Sequence, residues 1–409
     1  MPVERHRILL LQGPMGPFFA RLAKELEALG HEVTRLVFNA GDLVFHRGRG
    51  VSAFRGTLDE LPAAFRSIVE ERGIDTVLLF GDGRPIHRVA IPEAERLGLD
   101  VYVFEEGYLR PDWITLERGG VNGYSRLPKD PEAYRGVSKP AIEVSPVGPT
   151  FGRNGIYATI YSLAMALGRP YFPHYVHHRA LSPLPEAFHW VRSGVRKLVY
   201  RRLERGMEPK LTGALRGKYF LVPLQVHCDY QLAHSDFESI EAFALEVIAT
   251  FAAHAPAETH LVLKHHPMDR GYRDYGGLFA REARRLGLEG RLHYIHDQHL
   301  PSLLKAARGV VVLNSTVGLQ ALQHGTPVIA LGRGVFVMPG LTHQGTLASF
   351  FEAPTPPERG LYRGFRNHLL QTCQANGSFA RRLPEVQTPT GVRWHPTAPL
   401  GLGSSRPGR

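Results

Sequence analysis

Two cysteines, Cys228 and Cys373, are all that 409 residues contain. They are too few for a disulfide framework, and neither sits in a zinc-type cluster. No apolar run reaches the roughly 18 residues of a membrane span, so none is expected. The opening MPVERHRILLLQGP is too briefly apolar for a signal peptide and reads as a buried strand. GxxxxGK[ST] is missing, which argues against a P-loop ATPase, and GxGxxG is missing too. No acid closes the second strand, where Asn39 stands, so a nicotinamide dinucleotide fits poorly. There is no DxD to hold a metal-bridged diphosphate, no repeat at solenoid spacing, and no nucleic-acid motif. Acid is in deficit, with 38 Asp/Glu against 49 Lys/Arg.

What is present describes a globular protein: 43% apolar residues and a mean hydropathy of −0.17. The length suits two domains. Short apolar runs at Arg7–Gln12, Glu32–Phe38, Thr76–Phe80 and Val101–Phe104 alternate with helical spacing at Pro17–Leu29 and Ile86–Leu97. This βαβ repetition predicts a parallel sheet covered by helices. Residues 111–150 are rich in Gly, Pro and Asn and read as loop. Strands are expected again at 219–226, 260–265, 291–295, 310–314 and 328–332, separated by helices. The reading is α/β, with two Rossmann-like domains facing across a cleft, the GT-B architecture of glycosyltransferases. Its parts are an N-terminal Rossmann-like domain over 1–150, a basic helical connection over 151–217, a C-terminal Rossmann-like domain over 218–379, and a disordered tail over 380–409.

The connection is unusually charged. Residues 151–218 hold 12 Lys/Arg against 3 Asp/Glu, interleaved with Tyr157, Tyr161, Phe188, Trp190 and Tyr200. Such a segment meets anionic lipid, an anionic glycan or nucleic acid, nucleic acid being the least favoured. Alternatively it is a solvated helix face with its aromatics in the core. Pro170, Pro173, Pro183 and Pro185 are expected to break it into pieces.

Polar residues gather where strands end, at Gln12–Gly16, Asn39–Asp42, Gly81–Arg84, Glu105–Arg110, Gln225–Asp229, Lys264–Asp269 and Asn314–Gly318. Gly13 and Gly16 permit close backbone approach to a ligand, or simply form a packed turn. Glu105 and Glu106 are adjacent acids before Gly107 with Arg110 nearby. In a buried turn they would repel, and one would serve as acid or base; otherwise they are solvated. Asp229 is a nucleophile, an orienting group or a cap, and Ser235–Asp236 offers the better cap. Cys228 beside it reads as a small buried hydrophobe. In KHHP, Pro267 holds His266 extended, with Lys264 just before. In LNST, Asn314, Ser315 and Thr316 open a helix. Imidazole beside a helix N-terminus describes a phosphate site; the alternative is a core histidine and a plain cap.

At these residues the chain resembles the capsule polysaccharide biosynthesis/export proteins of the KpsS/LipB type, which are related to retaining β-Kdo transferases. LLLQGPMGPFF, FNAGD, VFEEGYLRPDWITLE, GVNGYSRLP, PLQVHCDYQLAHSDF, KHHPMDRGYRDY and LNSTVGLQALQHGTPVIALG match in order, over roughly residues 5–350. The resemblance implies a GT-B fold and transfer of Kdo, a keto-deoxy octulosonic acid, from CMP-β-Kdo to a phosphatidylglycerol lipid. His266 and Ser315 would hold the CMP phosphate, like the HP and S motifs of bacterial sialyltransferases, with Lys264, Pro267, Asn314 and Thr316 around them. Glu105 or Glu106 would be the base, and Asp229 the nucleophile of a double displacement with net retention. Gln12, Gly13, Gly16, Asp42 and Arg110 are the candidate acceptor or sugar contacts. Gln320 stands where many GT-B enzymes place an acid for the nucleotide ribose, which disfavours UDP- and GDP-sugars.

No cofactor or metal is implied. The expected partners are CMP-Kdo, the lipid acceptor, the inner membrane surface and other capsule assembly and export proteins, with no nucleic acid. The expected location is cytoplasmic, peripheral to that membrane. The competing readings are a non-catalytic export factor that binds the glycolipid, and a transferase using another CMP-sugar such as CMP-sialic acid.

Overall fold

Residues 4–46, 50–177 and 183–404 are described in a computed structural model of the chain. Strands are numbered β1–β12 and helices α1–α13 along the chain. The strands are β1 Arg7–Leu10, β2 Glu32–Val37, β3 Val51–Ala53, β4 Thr76–Phe80, β5 Asp100–Glu106, β6 Trp113–Arg118, β7 Tyr219–Pro223, β8 His260–Lys264, β9 Leu292–Ile295, β10 Gly309–Val312, β11 Val328–Ala330 and β12 Gln374–Asn376. The helices are α1 Phe18–Ala28, α2 Ala40–Phe45, α3 Leu61–Arg72, α4 Pro85–Arg96, α5 Phe151–Leu167, α6 Pro183–Leu203, α7 Met207–Thr212, α8 Ile240–His254, α9 Gly276–Arg285, α10 Leu300–Ala306, α11 Val317–Gln323, α12 Leu347–Glu352 and α13 Arg359–Thr372.

These elements form an α/β protein of two Rossmann-like units. The first comprises Met1–Val121, Ser138–Pro183 and Asn367–Arg409, the second Asn122–Val137 and Leu184–Arg366. The boundaries therefore differ from a simple division by sequence. Asn122–Val137 leaves the glycine-rich stretch for the second unit, the basic connection divides at Pro183, and the chain's end returns to the first unit.

The first unit's sheet runs β12-β6-β5-β4-β1-β2-β3. Strands β1–β5 are parallel, whereas β6 is antiparallel to β5 and to β12. Alternate residues of one strand feed opposite cores. Ile8 and Leu10 pack with Phe18, Leu22 and Leu26 of α1, while Leu9 and Leu11 pack with Phe65 and Val69 of α3. Within 111–150, read as loop, β6 is a strand. Its Trp-Ile-Thr-Leu run has the bulky side chains a pleated surface favours, but Pro and Gly on both sides hide it.

The tail expectation fails over 380–404; residues 405–409 lie outside the described ones. Trp394, Val392 and Leu402 are buried in the α1 side of the core. The buried carboxylate of Glu25 accepts from Thr390 N at 2.9 Å and from Trp394 Nε1 at 2.7 Å. Composition misled because the segment packs without periodic structure, through single anchors such as His31 to the Leu400 carbonyl at 2.9 Å.

The second unit's sheet, β11-β10-β7-β8-β9, is wholly parallel. Phe220, Val222, Leu261, Leu263, Val311 and Ile329 meet α8 through Phe243, Val247 and Phe251. Ser239 caps α8 by accepting the Ala242 N–H at 3.0 Å, so the cap lies three residues beyond Asp236. Pro183 and Pro185 do not break the basic segment at that point. They occupy the first turn of α6, where a helix needs no N–H donor.

Candidate functional site

In the second unit the chain adds β8 and β9 on one side of β7, then β10 and β11 on the other. The order thus reverses between β7 and β10, and ligands of open α/β sheets bind outside the strand carboxyl ends at such a point. Gln225 follows β7, Asn314 follows β10 and His266 follows β8, so the three strand ends are neighbours. Gln225 links two of them, its Nε2 lying 3.2 Å from both Asp229 Oδ2 and Asn314 Oδ1.

Asp229 is half-buried, and its other oxygen accepts the Gln231 N–H at 3.0 Å, capping the turn Tyr230–His234. The cap role that Ser235–Asp236 was expected to take therefore falls partly to Asp229 itself. Asn314 is fully buried and donates to the Gln231 carbonyl at 2.7 Å. It is a brace for the β7 and β10 loops rather than a presented ligand contact. Asn122, from the GVNGY motif, adds to this brace by donating to Gln231 Oε1 at 2.8 Å. Sequence reading gave Asn122 no role, because nothing local links it to strands a hundred residues away.

His266 is half-buried, and its Nδ1 accepts the Met268 N–H at 3.2 Å. A neutral ring so placed carries its proton on Nε2, the donor form that suits an anionic oxygen. Pro267, exposed, opens the turn that this bond closes. His265 points inward instead. Its Nδ1 lies 2.6 Å from Tyr294 Oη, and burial pushes its pKa down to about 4. Lys264 is also buried; burial lowers its pKa, against the opposing pull of Asp297 and Glu204. The Ser315 hydroxyl, half-buried, lies 3.3 Å from the Val317 N–H, and Thr316 makes no side-chain cap. Gly318 is explained by packing, since a Cβ there would meet the Phe336 ring at 2.6 Å.

One pair escaped the sequence reading. His227 Nδ1 lies 2.5 Å from Asp269 Oδ1, and Asp269 Oδ2 accepts the His227 N–H at 3.1 Å. Asp269 is almost fully buried while His227 keeps about a quarter of its side chain exposed. The signal was a histidine one residue before Cys228 and an acid three residues after His266, a pairing that only the neighbouring ends of β7 and β8 create.

In the first unit the order reverses between β1 and β4, and the chain fills that point itself. The buried guanidinium of Arg84 donates to Gln12 Oε1 at 3.1 Å and to the Gly13 carbonyl at 2.9 Å. Gln12 Nε2 donates to Asp42 at 3.1 Å and Tyr175 Oη at 2.9 Å. Asp42 also accepts from Phe38 N at 3.1 Å and Tyr161 Oη at 2.9 Å. Burial raises the Asp42 pKa despite these bonds. Gln12 and Asp42 thus anchor α5 from the interior, which corrects their assignment as presented acceptor contacts. The glycines follow the same logic. A Cβ on Gly13 would meet Phe19 at 2.6 Å, and one on Gly16 would meet Tyr157 at 2.8 Å, so the close approach belongs to the chain's own rings.

Glu105 and Glu106 are the last two residues of β5, opposite Thr115 and Ile114 of β6. Successive strand residues point to opposite faces, so the two carboxylates do not confront each other as expected for a tight turn. Glu106 is exposed and ion-paired with Arg110 at 3.3 Å. Gly107 is required by its neighbours, since a Cβ would lie 2.3 Å from the Trp113 carbonyl. Asp82, after β4, is a titratable group that sequence reading passed over. It is buried, one oxygen accepts the Val121 N–H at 2.9 Å, and burial pushes its pKa up to about 6.

Among the described residues no helix is long and apolar enough to cross a membrane. Residues 75–380 match the family model "Capsule polysaccharide biosynthesis protein". The chain is 41% identical over 375 residues to the capsule polysaccharide export protein KpsS of Escherichia coli, covering 91% of this chain and 96% of that one. It is 38% identical over 385 residues to the capsule polysaccharide modification protein LipB of Neisseria meningitidis, covering 91% of each. Among solved structures, the KpsC beta Kdo 2,7 transferase of Thermosulfurimonas dismutans matches at 16% identity and a TM-score of 0.39, over 88% of this chain and 89% of that one. By the family model and by its near full-length likeness to KpsS and LipB, the chain belongs to the capsule polysaccharide biosynthesis family.

Proposed function

We propose that the protein is a glycosyltransferase of capsule assembly, which moves β-Kdo from CMP-Kdo to a phosphatidylglycerol-type lipid with net retention. The observation that carries this reading is the Gln225 bridge, which holds Asp229 beside the end of β10, where Ser315 follows. His266 leaves the strand on the other side of β7. A carboxylate therefore neighbours two groups suited to a phosphate.

In the first displacement an Asp229 oxygen attacks the anomeric carbon. The bond from that carbon to the CMP phosphate oxygen breaks, and CMP leaves with the electron pair. His266 Nε2–H and the Ser315 hydroxyl would stabilise the growing negative charge on the phosphate. In the second, the lipid hydroxyl loses its proton to Glu105 and attacks the same carbon, releasing Asp229. Glu106, ion-paired with Arg110 at 3.3 Å, is the alternative base. The protein would work at the cytoplasmic face of the inner membrane, held there through its basic segment.

The test is incubation with CMP-Kdo and a fluorescent phosphatidylglycerol. A Kdo-lipid product is expected from the wild type. Asp229→Ala should abolish it while CMP still raises the melting temperature. Wild-type turnover by that variant would refute the nucleophile assignment. A non-catalytic carrier is favoured by one observation, that both Asp229 oxygens already accept hydrogen bonds. That reading requires glycolipid binding with no product and no dependence on Asp229 or Glu105.

A further inference from the structure

Helix α6 is turned inside out. Its protein-facing side is polar: Glu186 accepts from Tyr272 Oη at 2.5 Å, and Arg196 donates to the carbonyls of Arg270 and Arg273 at 2.9 Å. Tyr200 stacks on His296 with ring centroids 3.5 Å apart, and Glu204 accepts the His296 backbone N–H at 3.0 Å. These bonds fix the helix's rotation about its own axis. The apolar residues consequently face outward: Phe188, Val191, Val195, Leu198 and Leu203 are 57–75% exposed. The spacing of Phe188, Val191, Val195 and Leu198 places them on one stripe, with Leu203 at its edge in the last turn.

The charges on the outer side have a single sign. Lys197, Arg201, Arg202 and Arg205 are exposed beside and at the end of the stripe, whereas both acids of this stretch, Glu186 and Glu204, are turned inward. Trp190, 45% exposed, flanks the stripe on the side of Lys197 and Arg201. An apolar stripe bordered by cations and an amphipathic ring fits an anionic bilayer surface, with apolar side chains at the acyl boundary and cations among headgroup phosphates. A protein partner burying this face would have to desolvate four cations.

We propose that α6 lies in the plane of an anionic membrane leaflet and inserts its Phe188–Leu203 stripe. At 21 residues it would lie along about 31 Å of the surface. This deepens the peripheral-membrane part of the reading above, replacing adsorption by charge alone with insertion. In the first unit, α5 independently exposes Ile156, Ile160, Leu163 and Leu167 at helical spacing, although the claim for α6 does not need it.

The test is co-sedimentation of the full chain with vesicles of phosphatidylethanolamine containing phosphatidylglycerol, without any sugar nucleotide. Strong binding is expected, with a blue shift of Trp190 emission that Trp190→Phe removes. Val191→Ser/Val195→Ser/Leu198→Ser should lower the partition coefficient at least 10-fold with an unchanged melting temperature, because these side chains are already exposed. Arg201→Gln/Arg202→Gln should weaken binding at low salt and less so at high salt. No binding by the wild type, an unaffected triple variant, or binding fully reversed by salt would overturn the proposal. So would a wild-type dimer that the triple variant dissolves. Transfer to a short-chain, water-soluble acceptor separates the two ideas, since the triple variant should retain it, and failure there alone would count against the transferase.

Discussion

His227 and Asp269 come from loops after two adjacent parallel strands and meet at 2.5 Å, with the ring's own backbone N–H held by the same carboxylate. An acceptor at Nδ1 fixes which ring nitrogen carries the proton and leaves Nε2 as the working atom. On the transferase reading, His227→Ala should lower turnover about 10²-fold, within the range of positioned acid–base groups. Asp269→Asn should produce a loss of similar direction by freeing the ring's tautomer. CMP affinity measured by calorimetry should stay within about twofold. Equal losses in affinity and turnover would make the pair a scaffold only.

Gln225 is the tie between the loops after β7 and β10. Gln225→Ala removes both bonds, while the Gln231 N–H still holds the other Asp229 oxygen. Turnover should fall tenfold or more, whereas Gln225→Glu should do worse by setting a like charge against Asp229. Single-turnover measurements separate chemistry from binding.

Asp82 carries a pH signature. Its pKa rises from 3.8 to about 6 on folding because burial disfavours the charged form. The folded state therefore holds this proton more tightly than the unfolded chain. Its contribution to stability is complete below about pH 4 and is lost as pH rises through about 6. Asp82→Asn keeps an acceptor for Val121 and abolishes the loss. It should stabilise the protein by on the order of 2–3 kcal/mol at pH 8 and by little at pH 4. Denaturant titrations at both values decide it, and a pH-independent difference would exclude this cause.

The last described segment should matter to stability as much as any helix. Trp394→Ala removes a buried ring and the donor to Glu25. It should cost about 3–5 kcal/mol in chemical denaturation. A cost below about 1 kcal/mol would mean that the segment is not packed as described.

Periodicity made the two sheets legible, because buried parallel strands such as Val310–Val312 are short apolar runs that alternate with helices. The strand-end loops were legible for the same reason, since polar residues at strand ends stand out against apolar neighbours. Partnership was not legible. The spacing around Gln12 and Asp42 is equally that of a ligand site and of the buried network that fastens Tyr161 and Tyr175. Glu105 and Glu106 look like rivals in sequence, yet the pleat separates them. Asn122 and His227 gain meaning only through partners far along the chain. The segment after 380 lacks periodicity because it is held by single anchors, and anchors leave no pattern.

That segment also sets the order in which the molecule can be finished. The first unit's sheet gains β12 at Gln374–Asn376, and the α1 side of its core gains Val392, Trp394 and Leu402. A ribosome has by then already made every residue of the second unit. The half of the protein begun first is thus completed last, and until then the unfilled groove beside Glu25 is exposed to whatever else in the cell can occupy it.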